Sequence, residues 1–161
     1  MSQPTSAAIP DPEEETPHEL VLVTRFAVSP QVTYTAWTDP EQFRQWWHPD
    51  GWDIAPDQVS LDARPGGAWR ATMVGPDEGL EVSLGGYYVE LVPGQKLVYT
   101  LSDEPLDVPA RSQATVLFRG ADGGTEMEFR QTGVITDEHF EQLRAGTMHF
   151  FDRLRAQLAR G

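Results

Sequence analysis

The period of the apolar positions in this chain switches repeatedly between that of a strand and that of a helix. From Glu19, "ELVLVTRF" is a dense β-branched run and predicts a strand. Ser29-Pro30 then supplies a capping hydroxyl followed by proline at the first helical position, so "QVTYTAW" predicts a short helix. Asp39-Pro40-Glu41-Gln42 repeats the device and opens a second short helix, which carries Phe43, Trp46 and Trp47 at i, i+3 and i+4. Pro49 disfavours α geometry at His48, and Asp50-Gly51 marks a turn; His48 and Trp52 therefore fall in a loop at the helix exit.

From Val59 the alternation becomes that of strands separated by turn chemistry: "QVSLDA", "AWRATMV", "LEVSLGGYYVELV", "KLVYTLS", "SQATVLFR" and "TEMEFRQT", an antiparallel meander. Trp69, Ala71 and Met73 share one apolar face, Tyr99 is in phase with Leu97 and Leu101, and Met127 and Phe129 alternate with the polar row Glu126, Glu128 and Arg130. The connection "DEPLDVPAR" is longer than its neighbours and is read as a flap. From about Asp137 to Arg160 the helical period returns, with Thr136 as cap and Asp137 and Glu138 complementing the N-terminal dipole. Phe140, Leu143, Phe150, Phe151, Leu154 and Leu158 form its apolar stripe. Thr147 falls near the centre of that stripe, where a small side chain leaves room.

Residues 1 to 18 contain four prolines, the run Glu13-Glu14-Glu15 and almost nothing apolar, which predicts a disordered tail before a single domain at 19–161. The same stretch lacks a basic n-region and an apolar run, so neither a signal peptide nor a membrane span is expected, and the protein is read as soluble and cytoplasmic. The chain has no cysteine, which excludes disulfides, thiolate metal sites and thiol chemistry. Twelve basic residues stand against twenty-five acidic ones, a net charge of −13. Such a field repels phosphate, so nucleic acid is excluded as a partner, no membrane insertion is expected, and a neutral ligand is favoured. No phosphate-cradling glycine loop, nucleophile elbow or His-Glu-x-x-His is present, and His18, His48, His139 and His149 have no metal-ligand spacing. No cofactor, metal site or catalytic set is therefore expected.

The order of strand, two short helices, meander and long C-terminal helix resembles the helix-grip fold of the START-like (SRPBCC) superfamily. Within it, the chain is similar to bacterial proteins related to the C-terminal domain of the activator of Hsp90 ATPase. The resemblance rests on "TRFAVSPQVTYTAWTDPEQFRQWWHPDGW", "VSLDARPGGAWRATM", "GGYYVELVPGQKLVYT", "GTEMEF" and "GTMHFFDRL", and covers about residues 19 to 160. Two positions depart from it: His48 stands where the family usually has glycine, and Thr147 where it usually has tryptophan.

The resemblance implies an α+β fold in which an incomplete antiparallel barrel wraps the C-terminal helix, with an apolar cavity between them that holds a lipid, polyketide or similar small molecule. Phe43, Trp46 and Trp47 are expected to plug one end of the barrel, at least two of them as core. Trp52 and His48 lie where ligand-contacting groups concentrate. The candidate ligand-binding set is Trp47, His48, Trp52, Trp69, Met73, Tyr99, Phe129, Thr147 and Phe151. An enzyme of cyclase, aromatase or hydrolase type is the alternative, with His48 and either Tyr99 or Glu90 for acid and base work. A chaperone-associated interaction protein is the third reading, and a monomer or homodimer is expected.

Overall fold

A computed structural model describes residues 14–77, 79–102 and 112–160. Residues 1–13 of the expected tail and the whole of the expected flap, residues 103–111, lie outside the described residues. In chain order the elements are β1 (Thr16–Phe26), α1 (Pro30–Thr38), α2 (Pro40–Trp46), β2 (Val59–Leu61), β3 (Ala68–Val74), β4 (Glu81–Val92), β5 (Lys96–Leu101), β6 (Ser112–Ala121), β7 (Gly124–Ile135) and α3 (Asp137–Arg160). The strands form one seven-stranded antiparallel sheet in the order β1-β7-β6-β5-β4-β3-β2. It curves around α3 in the helix-grip arrangement.

The short helices form where their caps are written. Ser29 Oγ accepts from Val32 N at 3.2 Å, and Asp39 accepts from Glu41 N at 3.3 Å and from Gln42 Nε2 at 3.1 Å. Thr136 Oγ1 does the same for α3, accepting from His139 N at 3.0 Å. Trp47 differs from expectation: it is the C-cap of α2, with φ −87° and ψ 60°, and has left the helix. Its ring still stacks on Phe43 at 5.1 Å, so burial rather than helical phase keeps the three rings together.

Two strand boundaries also differ from expectation. β1 begins at Thr16, three residues before Glu19, because β7 runs on to Ile135 and supplies ladder partners for Thr16, Pro17 and His18. Pro17 is tolerated there because β1 is an edge strand. "QVSLDA" contracts to Val59–Leu61, since Pro56 opens a 3-10 turn that takes up Gln58.

Inward-facing residues build one core, with Leu20, Trp46, Ile54, Leu97, Val116, Met127 and Leu154 fully buried. On the outer face, Glu126 meets Arg25 and Arg119, while Glu128 meets Arg119 and Arg130. The Arg130 guanidinium holds the Glu128 carboxyl below its ordinary range through a hydrogen bond and its charge. Such exposed pairs set the polar face more than the stability.

Where β4 crosses from β3 to β5 the strands press together. A Cβ on Gly86 would stand 2.1 Å from Thr100 O, so only glycine permits that approach. Gly146, in α3, has no heavy atom within 4 Å of an added Cβ. Gly86→Ala is therefore expected to destabilise by about 1–3 kcal/mol or more, and Gly146→Ala to stabilise by about 0.5–1 kcal/mol through helix propensity. Chemical denaturation of the two variants checks both signs.

Candidate functional site

Trp37, at the inner face of α1, is the hub of the aromatic core. Its ring lies 4.9 Å from Trp46, 6.1 Å from Tyr99, 6.2 Å from Phe129 and 6.1 Å from Phe151, joining both short helices, the sheet and α3. Trp69 stands edge-on to Trp47 at 5.5 Å and to Tyr99 at 5.6 Å. The space left among Trp37, Phe43, Trp47, Trp69, Tyr88 and Tyr99 is about 10 Å³. That is room for one water molecule at most.

The polar atoms of this cluster are unevenly satisfied. Trp46 Nε1 donates to Ala36 O at 3.0 Å and Trp69 Nε1 to Thr100 O at 2.9 Å. Trp37 Nε1 is buried with no partner among the described residues. Burial raises the phenols of Tyr34, Tyr88 and Tyr99 above their ordinary value, most strongly for Tyr99.

The expected binding residues are distributed unequally around this cluster. Trp47, Trp69 and Tyr99 border the small void; Phe129 and Phe151 pack against Trp37, and Met73 is buried in the same core. His48 is buried as well, its Nδ1 3.0 Å from Pro49 O. Half-buried Trp52 packs on the edge of the same core, beside Gly75. Thr147 is half-buried with Oγ1 donating to Leu143 O at 2.7 Å. Glu90 shares a sheet face with Val98, opposite to Tyr99, and pairs with Lys96 at 3.0 Å. It therefore does not converge with Tyr99 on one space.

A second, larger space lies toward the N-terminal end of α3. α3 buries Phe151, Leu154 and Leu158 fully, whereas Phe140 and Leu143 are only half-buried. Below those two residues is an open cavity of about 430 Å³, floored by Leu84, Leu101, Ser112, Gln131 and Gly133 and edged by His18. Sheet register explains the room: His18, Gly133, Ser112 and Leu101 lie in one cross-strand row, and its two central members are small. The next row toward the core is Leu20, Gln131, Ala114 and Tyr99. At the cavity edge the His18 ring stacks on Phe140 at 4.7 Å and its Nε2 lies 3.0 Å from Asp137.

Sequence reasoning passed over Gln131, Ser112, Gly133 and Leu84. One signal was present: the inward row of β7 reads Thr125, Met127, Phe129, Gln131, Gly133, turning from bulky apolar to polar and then small in two steps. Among the described residues, no three His, Asp or Glu side chains are grouped to hold a metal ion, and no helix is long and apolar enough to cross a membrane.

Residues 27–159 match the family described as Activator of Hsp90 ATPase homolog 1-like protein. A solved structure from Chromobacterium violaceum is 26% identical, with a TM-score of 0.77 over 87% of this chain and 96% of that one. The AHSA1 protein from Silicibacter pomeroyi is also 26% identical, with a TM-score of 0.73 over 88% and 98% of the two chains. An AHSA1-like protein from Aeromonas hydrophila, 16% identical, shares the fold with a TM-score of 0.74 over 89% and 93%. No curated protein matches the chain.

The buried phenols give the core a pH signature. Their folded-state values lie above 10.0, so the unfolded chain ionises first. Their contribution to stability is complete below that pH and is lost as the pH rises past it. Denaturation midpoints measured from about pH 8 to about pH 11 should fall above about pH 10. Tyr99→Phe should flatten that fall.

Proposed function

The chain belongs to the Activator of Hsp90 ATPase homolog 1-like family, and we propose that within this fold it binds a neutral, apolar small molecule beneath the N-terminal half of α3. The observation that carries this reading is the contrast along one helix. Phe151, Leu154 and Leu158 are sealed into the core, whereas Phe140 and Leu143 face a space of about 430 Å³. That volume lies within the range of about 300–1,000 Å³ typical of small-molecule sites. A helix face left half-covered gives up burial worth about 25 cal/mol per Å² of apolar surface, and an apolar occupant would recover it.

The ligand's charge follows from the surroundings. The whole chain carries −13, so an anion would be disfavoured. The aromatic cluster around Trp37, with Tyr99, Phe129 and Phe151, serves in this reading as the closed end of the core behind the cavity, and Thr147 stands one turn of α3 from Leu143. Trp47, Trp69, Met73 and His48 act by holding that closed end rather than by direct contact. Trp52 packs on the edge of the core, outside the cavity lining.

A neutral, environment-sensitive naphthalene dye tests the proposal. Wild type is expected to bind it saturably at one site. Leu143→Trp, whose larger ring would enter the existing space, should weaken binding by about tenfold or more, which is about 1.4 kcal/mol. Its stability should change by less than about 1.5 kcal/mol. Absence of saturable binding to wild type, or wild-type affinity in Leu143→Trp, would count against the cavity.

A further inference from the structure

Gln131 is the anomaly of the inward-facing rows. It follows Thr125, Met127 and Phe129 along the buried face of β7, and only 7% of its surface is exposed. A carboxamide so placed is costly unless its atoms are satisfied. Its hydrogen bonds also fix which way it points. Thr132 O can only accept, so the Ser112 hydroxyl, 2.8 Å away, must donate to it. Ser112 Oγ is then left to accept, and it does so from Gln131 Nε2 at 2.9 Å. This relay turns the carbonyl oxygen, Oε1, away from Ser112. Among the described residues Oε1 accepts no hydrogen bond, and Gln131 lines the cavity under α3.

We infer that Gln131 is the specificity residue of this cavity, its oriented Oε1 accepting a hydrogen bond from a hydroxyl on an otherwise apolar ligand. The inference rests on the cavity reading above and adds the ligand class: a phenol or alcohol rather than a hydrocarbon, ether or carboxylate. Ala114, directly across the sheet from Gln131, contributes no bulk beside the amide, and Leu143 lines the same cavity as Gln131. Ser112 acts as a positioning residue because it determines which end of the amide faces the ligand. An apolar side chain at position 131 would continue the core row and keep the volume, so discrimination and packing are separable by substitution.

Competition of 1-naphthol and 1-methoxynaphthalene against the dye separates the possibilities, since the two rings match in shape and only the first can donate. Wild type should prefer 1-naphthol by roughly threefold to tenfold, the net effect of one neutral hydrogen bond. In Gln131→Leu that preference should vanish through weaker binding of 1-naphthol, while 1-methoxynaphthalene binds as well as before or better. Ser112→Ala, which frees the amide to turn, should reduce the preference without weakening 1-methoxynaphthalene. It serves as an independent check should Gln131→Leu fold poorly. Equal binding of both compounds by wild type, or a preference that survives in Gln131→Leu, overturns this inference and leaves the cavity standing. Failure of wild type to bind either compound overturns both.

Discussion

The contact on which the rest of the structure depends is the one between Trp37 and Phe151, 6.1 Å between ring centroids. It is where α1, carrying Trp37, meets α3, and both rings also touch Phe129 on the sheet. Large aromatic rings bury the most apolar surface per residue, and their edge-to-face packing adds direction to that burial. Once Phe151 is seated, Leu154 and Leu158 follow into the core on successive turns. Seating the C-terminal half in this way also determines what happens at the other end. Leu143 lies eight residues earlier, about 12 Å along the helix axis, at the edge of the core and only half-buried. The sheet below it offers Gly133 and Ser112 in place of rings.

The molecule is therefore graded along its strands. At one end the inward rows are filled by tryptophan, tyrosine and phenylalanine, and the leftover space holds no more than a water. Toward the other end the row of Tyr99 and Ala114 brings in Gln131, and two residues further along each strand, about 7 Å, come Gly133, Ser112 and Leu101, and the space opens. A rigid closed end supports an open one, as a binding site requires: pre-organisation reduces the ordering cost of taking up a ligand. In the proposed reading, the acidic surface and the buried carboxamide would together select a neutral molecule with a polar tip.

Much of this architecture is legible in the residues themselves. Ser29-Pro30 and Asp39-Pro40 announce α1 and α2 because capping depends on the local chain, and the alternation from Ala68 to Ile135 announces the meander because one sheet face is buried throughout. The stripe of α3 is equally plain. What periodicity could not convey was how far each half of that stripe penetrates, since burial depends on which sheet residues lie opposite. Thr147 drew attention as the small residue in the stripe, but the room is one turn away over Gly133 and Ser112, which became relevant only through cross-strand register. Likewise Trp47 reads as a residue of α2 and His48 as a loop residue at the helix exit, yet Trp47 has left the helix and both are buried, because the chain folds back onto Phe43 and α3. The start of β1 at Thr16 escaped notice for a similar reason: Thr16-Pro17-His18 has no strand pattern of its own and is strand because β7 extends to Ile135.

The central claim is that the ligand site lies over the open rows and not within the tryptophan cluster. The most direct measurement is nuclear magnetic resonance of isotope-labelled protein titrated with 1-naphthol, following backbone amides and tryptophan indoles together. The account predicts that the largest shift changes fall on Leu101, Gln131, Gly133, Phe140 and Leu143, while the indole signals of Trp47 and Trp69 stay nearly unmoved. Largest changes at the Trp37, Trp47 and Trp69 indoles, with the amides of Phe140 and Leu143 unaffected, would contradict it.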